Sequence, residues 1–329
     1  MGGTRIKWTD WTINPFPGCR KVSKGCKNCF AERMARRLKA MGHKAYQGVV
    51  DEKGWTGKVG EQLDVMHVPG KGKMVFVNSM GDLAYDGVPF PGFVKVMGYI
   101  MLQPWHTFQI LTKRPAELAE RIDRIIHVGT RERYLDPLML LSDAISKDFT
   151  ERQFAVANEW YKANCDQSDR GLCDLPVRWP LRNLWVGTTT EDQERHNQRA
   201  PEIVKARAAV HFLCLEPLLG PIAIKWPHRR AGEFFAERES LSIDWIIIGA
   251  ESGPGARPCD LVWIESLIKQ CHEANVPVFV KQVRCKNKVI TEANQISQLL
   301  ARAVESIRQF PKDLQIREYP RDPGRVCGR

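Results

Sequence analysis

The sequence predicts a parallel α/β fold: a full or incomplete (β/α) barrel of about six to seven strands. Short apolar, β-branched runs recur along the chain, each too short for a helix and each bounded by turn residues. Amphipathic stretches of helical period lie between them. Continuous apolar strands alternating with helices mark parallel β/α units covered on both faces. The chain of 329 residues, 43% hydrophobic and 26% charged, is long enough to bury a core without cross-links.

Taken in order, a first strand is expected around Lys7–Ile13, followed by a helix over 27–41. MVFVNS (Met74–Ser79) leads to a helix at about 91–103, and TFQIL (Thr107–Leu111) to one at about 115–126. LWVGT (Leu184–Thr188) precedes a helix at about 191–207, and VHFLCL (Val210–Leu215) is the next strand. DWIIIG (Asp244–Gly249) precedes a helix over 260–274, and PVFVK (Pro277–Lys281) is the last clear strand. In the 260–274 helix, Leu261, Ile264, Leu267, Ile268 and Cys271 share one face, and Asp260 stands where an N-cap belongs. Residues 127–180 break this rhythm and read as a mainly helical insertion; 283–329 form a C-terminal extension. No repeat or flexible linker divides the chain, so 1–329 reads as one domain. No apolar run approaches the ~20 residues of a membrane-spanning helix. The N-terminal MGGTRIKWTDW has no continuous apolar region of signal-peptide type. A cytoplasmic protein without a membrane partner is expected.

Lys and Arg number 49 against 38 acids, and residues 1–45 hold eleven of those cations against Asp10 and Glu32 alone. Such a segment attracts a polyanion or is simply a solvated face. Trp8, Trp11 and Phe16 are interleaved with it, as stacking platforms or, more commonly, as packing residues. Ten cysteines without secretion do not imply a disulfide framework. Cys214 and Cys271 read as small buried hydrophobes. Cys165 and Cys173 form a polar pair that could be a second metal or redox site, and Cys259, Cys285 and Cys327 have no interpretable neighbours. His106 precedes a strand and reads as structural. Trp185 and Trp245 lie inside strand patterns and read as core.

The residues after each strand carry the functional signal. They are Asn78, Ser79, Gly81 and Asp82; Lys113 and Arg114; Thr188 to Asp192; Glu216 and Pro217; Gly249 to Gly253; and Lys281 with Gln282. In a β/α barrel these ends meet on one face, where active sites are placed. Helix capping accounts for Thr188 to Asp192, but not for the charges at Lys113, Arg114, Glu216 and Glu251. Just after the first strand, Cys19, Cys26 and Cys29 are spaced C-x6-C-x2-C. A structural zinc wants a fourth ligand, and His43 lies beyond the expected helix. Three thiolates on one loop better suit a [4Fe-4S] cluster with one iron open, with zinc or unligated thiols as the other readings. Gly18 and Gly25 suit a loop wrapped closely around such a group, and Arg20, Lys21, Lys24 and Lys27 would offset its negative charge.

IKWTDWTINPFPGCRKVSKGCKNCFAERMA, FVNSMGDL, WHTFQILTKRP, LWVGTTTEDQ, FLCLEPLLGPI, DWIIIGAESGPGARP and PVFVKQ resemble, in order, the phage-associated three-cysteine-motif family of divergent radical-SAM-like proteins. The blocks run from about residue 5 to 282, with DLQIREYP (313–320) as a fitting tail. The resemblance implies a [4Fe-4S] cluster on Cys19, Cys26 and Cys29, with S-adenosylmethionine on its open iron. The wider radical SAM pattern is C-x3-C-x2-C, so the first spacing is longer here. Its glycine-glycine-glutamate is also absent. Asn78, Ser79 and Asp82 stand at that place, with Asp82 as the substitute carboxylate. By the same resemblance Thr188 and Thr189 face the ribose, Ile247 and Gly249 the adenine with Glu251 close by, and Lys113 the cofactor carboxylate. One electron from the cluster would cleave the sulfonium, and the deoxyadenosyl radical would take hydrogen from a substrate above the barrel. Arg114, Arg257 and Lys281 would hold an anionic substrate, a nucleotide or nucleic acid. An electron donor is required, and there is room for a partner protein.

Two other functions fit the residues. A metal-free hydrolase would use Glu216 and Glu251 as paired carboxylates ~5–10 Å apart. A nucleic-acid-binding or regulatory protein would use the cysteines for a structural zinc or a sensory Fe–S cluster, and the basic first 45 residues for phosphates.

Overall fold

Seven parallel strands lie side by side in chain order. They are β1 (Trp11–Ile13), β2 (Met74–Val77), β3 (Thr107–Thr112), β4 (Leu184–Thr189), β5 (Val210–Leu215), β6 (Trp245–Gly249) and β7 (Val278–Gln282). Helices α1 (Phe30–Ala40), α2 (Phe90–Met101), α3 (Pro115–Arg131), α4 (Gln193–Ile203) and α5 (Leu261–Glu273) lie in the connections. This computed structural model describes residues 3–4, 6–131, 180–226, 243–283 and 316–320. The expected insertion and C-terminal extension therefore fall almost wholly outside the described residues, as do Cys165, Cys173, Cys285 and Cys327.

The strand order explains the shape. Every crossover advances one strand in the same direction, and right-handed crossovers of that kind put all the helices on one face. Among the described residues no helix covers the other face, and the sheet curls into a half-barrel that buries that face against itself. Alternation along each strand sorts the side chains accordingly. Outward residues such as Val77, Ile110, Val186, Leu213 and Ile248 pack with Phe93, Met97 and Ile100 of α2 and Leu267 of α5. Inward residues Phe76, Trp185, Phe212, Trp245, Ile247 and Phe279 pack together around Trp8. Gly187 is required here, since a Cβ at that position would overlap the Phe212 ring.

Trp8 also explains why β1 is shorter than expected. Its indole turns into the half-barrel, 4.8 Å from the Phe76 ring and 6.2 Å from Trp245. The strand begins only at Trp11, after the Asp10 carboxylate accepts the Met74 N–H at 2.8 Å. Phe16 is fully buried, and Trp11 is partly buried beneath Lys73, whose Nζ lies 4.2 Å from the ring. These three rings are packing residues. His106 is buried at the opposite end of the strands from the cysteines. It accepts the Lys73 N–H and faces the Val68 carbonyl, and burial pushes its pKa down to about 4.

Ile316–Pro320 runs antiparallel along β7: Val280 N–H donates to the Ile316 carbonyl and Glu318 N–H to the Val278 carbonyl, both at 2.9 Å. Trp245 Nε1 donates to the Glu318 carbonyl at 2.8 Å, and Tyr319 Oη donates to the Lys7 carbonyl at 3.3 Å. The segment thus covers the free edge of β7 and reaches toward the start of β1, a usual way to protect an edge strand. Among the described residues, no helix is long and apolar enough to cross a membrane.

Candidate functional site

The C-terminal ends of the strands surround a cavity of about 250 Å³. Its floor is the last inward layer of the half-barrel: Phe76 of β2, Leu111 of β3, Thr189 of β4 and Cys214 of β5. Its wall is the loop between β1 and α1, which brings Cys19, Cys26 and Cys29 to the same space. Among the described residues, no group of three or more His, Cys, Asp or Glu side chains is arranged to hold a metal ion.

That loop is fastened to one strand end after another. Gly18 N–H donates to the Met80 carbonyl at 3.1 Å, just past β2. Gly18 has φ +124°, and a Cβ there would stand 2.5 Å from the Lys58 carbonyl oxygen, so only glycine passes. Past β3, Arg114 donates to the Arg20 carbonyl at 2.8 Å, and its other nitrogen lies 3.7 Å from Cys19 Sγ. Past β4, the Glu191 carboxylate accepts Gly25 N–H at 3.2 Å, and a Cβ on Gly25 would meet that carboxylate at 2.9 Å. Past β6, Asn28 Nδ2 donates to Glu251 at 2.9 Å, while Arg257 donates to the Lys24 carbonyl at 2.9 Å. Cys29 then occupies the N-cap position of α1.

Several residues with expected ligand-binding roles therefore have protein partners. Asp82 is buried and accepts from Thr112 Oγ1 at 2.6 Å, Lys113 N–H at 3.1 Å and Arg114 Nη1 at 2.9 Å. Arg114, Arg257 and Lys281, expected to hold an anionic substrate, are each paired with a carboxylate: Asp82, Glu251 and Glu216 respectively. Ser79 Oγ donates to Asn14. Asn78 is buried with φ 65°, and its Oδ1 accepts the Phe16 N–H at 3.1 Å. Thr188 is buried facing outward and donates to the Thr112 carbonyl at 2.9 Å. Ile247 lies in the inner core, and Gly249 packs against the Glu216 side chain. Of the expected residues, Ser79, Asp82, Lys113, Arg114, Thr189, Glu216 and Glu251 border the cavity with the three cysteines. Thr188, Asn78, Ile247, Gly249, Arg257 and Lys281 do not.

A family model described as "protein of unknown function (DUF5131)" matches residues 3–306. The chain belongs to that family. No curated protein and no solved structure matches it.

In this DUF5131 protein helix capping, expected to account for Thr188 to Asp192, does not account for Glu191, and Asn28 was not among the expected site residues. Glu191 is completely buried and pairs with Arg199 at 2.8 Å. Burial pushes its carboxyl up, but Arg199, Ser23 and Lys113 outweigh that and hold it below the usual range. Its neighbour Asp192 is the N-cap of α4, accepting Arg195 N–H at 2.8 Å, so the capping explanation covers one of two adjacent acids. Glu251 is likewise held low: Arg257 and Asn28 overcome the upward push of burial.

Charges of both signs surround the thiols. Burial pushes the Cys19 thiol up to about 12, with Asp82 adding to the rise and Arg114 opposing it. Burial pushes the Lys113 ammonium down, but Cys26, Glu191 and Cys29 together reverse that, so the group stays protonated. Its Nζ lies 3.4 Å from Thr189 Oγ1 on the cavity side. Three sulfur donors on one loop, with Arg114 beside Cys19 and Lys113 near Cys26 and Cys29, are the donor type by which thiolate-held clusters are bound.

Proposed function

We propose that the chain is a radical-SAM-like iron–sulfur enzyme in which Cys19, Cys26 and Cys29 hold a [4Fe-4S] cluster, with S-adenosylmethionine on the open iron. It modifies an anionic substrate. One observation carries the reading: three thiols spaced C-x6-C-x2-C line one cavity with the inward ends of β3, β4 and β5. Active sites of β/α barrels belong at those ends. The resemblance to the phage-associated three-cysteine-motif family supports the same reading. When bound, the cluster supplies one electron for cleavage of the sulfonium, and cofactors of this kind carry the difficult chemistry.

The protein's own part is binding, orientation and charge. Lys113 and Thr189 offer an ammonium and a hydroxyl, 3.4 Å apart, to the carboxylate and ribose of the cofactor. Asp82 is a positioning residue, holding Arg114 against Cys19 and the Arg20 carbonyl. Glu251 and Arg257 hold the other side of the loop through Asn28 and Lys24. Phe76 and Leu111 in the floor limit water beneath the cofactor. A cytoplasmic location accompanies this reading, because thiolates persist in a reducing compartment. An external electron donor completes the reaction.

The paired-carboxylate hydrolase has less support. Glu216 accepts from Lys281 at 2.6 and 2.8 Å and from Gln282 at 3.1 Å, and Glu251 is held by Arg257 and Asn28. A general acid needs its pKa raised, whereas that of Glu251 is lowered.

Anaerobic protein given a chemical reductant and S-adenosylmethionine is expected to release methionine and 5′-deoxyadenosine. A Cys19/Cys26/Cys29 triple-alanine variant is expected to release neither. Equal release by the variant, or none from cluster-replete wild-type protein, would overturn the reading.

A further inference from the structure

The solvent face of the cysteine loop combines two kinds of exposed side chain. Arg20, Lys21, Lys24 and Lys27 are all exposed. Beside them stand two apolar groups that leave the core, Val22 at 41% exposure and Phe30 at 57%. Both border the mouth of the cavity, together with Arg20 and Trp55.

The charge there is not cancelled locally. The acids around the loop each have a cation of their own: Asp82 with Arg114, Glu191 with Arg199, and Glu251 with Arg257. Glu32, mostly buried, takes Lys21 at 2.9 Å and Arg36 at 3.3 Å. Lys24 and Lys27 have no ion-pair partner among the described residues, so their ammonium groups face solvent uncompensated. Cations that track a backbone, next to a ring on which a base can stack, form the recognition surface of single-stranded nucleic acid. Of the three rings suggested for stacking by sequence alone, Trp8 and Phe16 are in the core and Trp11 is partly buried beneath Lys73, whereas Phe30 is available.

We propose that the cysteine loop is the docking surface for a single-stranded polynucleotide. One base stacks on Phe30, flanking phosphates lie on Lys24 and Lys27, and a nucleotide is presented at the cavity mouth. A duplex keeps its bases paired and offers no face to Phe30, and a mononucleotide lacks the flanking phosphates. The proposal names the substrate class for the site described above. It rests on that reading only for what is done to the strand, not for binding.

The test uses the full chain, purified anaerobically with its iron content recorded, and fluorescence anisotropy of labelled oligothymidylate and oligouridylate of about twelve nucleotides. The two probes share the proposed chemistry, and their relative affinity assigns the strand to DNA or RNA. Binding is expected to weaken with salt, and Lys24→Ala with Lys27→Ala should reduce the log–log slope by about 1.4, at about 0.7 per phosphate. Phe30→Ala should weaken binding about fivefold or more and Phe30→Trp should restore it, as stacking on an aromatic ring requires. All three side chains are exposed, so unchanged melting curves would show that the fold is kept. No binding at low salt, variants that bind like wild type, or thymidine monophosphate binding as tightly as the oligomer would overturn the proposal. A duplex bound equally well, without regard to Phe30, would also overturn it. Strand binding by iron-free protein would preserve this proposal and count against the cluster; iron without strand binding would do the reverse.

Discussion

Glu191 sits at the end of β4 with no exposed surface, so its charge depends on Arg199. Removing one partner of a buried ion pair strands the other, at about 3–5 kcal/mol. Arg199→Met is therefore expected to lower the unfolding free energy by that amount, read as a lower urea midpoint at an unchanged m-value, with much of the loss recovered by adding Glu191→Gln. An unchanged midpoint would show that the pair is not closed. Glu191 and Glu251 also set an acid limit. Their folded-state pKa values lie below the ordinary glutamate value of about 4.3. Their stabilisation is thus fully present above that pH and is lost as pH falls through the lowered folded values. Acid titration of Glu251→Gln should show a shallower loss of stability below about pH 4.3 than wild type. At this scale, legibility in the sequence depended on distance along the chain. Asp260 was readable as an N-cap because it accepts from Val262, two residues on. Asn28 was not readable because it meets Glu251 across 223 residues, and Glu191 meets Gly25 across 166. The charges of Arg114 and Arg257 marked them for a site. Only the fold reveals that they hold the cysteine loop.

Among the elements, β5 runs Val210–Leu215, as its apolar run predicts, because a parallel strand covered on both faces has no polar side to interrupt it. β1 was overestimated, because Trp8 looks like a strand residue but leaves the sheet to fill the half-barrel. The helix after β3 extends to Arg131, past the expected end near 126. Gly187 shows how tightly β4 and β5 are matched: the Phe212 ring lies where a Cβ would be. Gly187→Ala should cost about 1–3 kcal/mol by overpacking, read as a lower melting temperature. Phe212→Leu in that background should recover part of the loss. An alanine tolerated without any change in melting would mean that the inner core has slack at this position.

Over the whole molecule, a singly wound sheet gathers groups far apart in sequence at one end, and the cysteine loop is laid across them. The class of fold was legible because strand and helix patterns alternate. The convergence of the strand ends followed from that class. The ties across the loop are non-local, so they were not legible. Neither was the burial of Trp8 and Phe16, whose neighbours in sequence are basic but whose neighbours in space are apolar. The loop's attachment past β2, β3, β4 and β6 gives the thiols a fixed frame, and Lys113 and Arg114 stand behind them. We propose that this frame holds an iron–sulfur cluster. The most direct test of that claim is the iron, sulfide and zinc content of anaerobically purified protein beside the Cys19/Cys26/Cys29 triple-alanine variant. About four irons and four sulfides per chain, absent from the variant, are expected. Stoichiometric zinc, or no metal after anaerobic reconstitution with iron and sulfide, would contradict the claim.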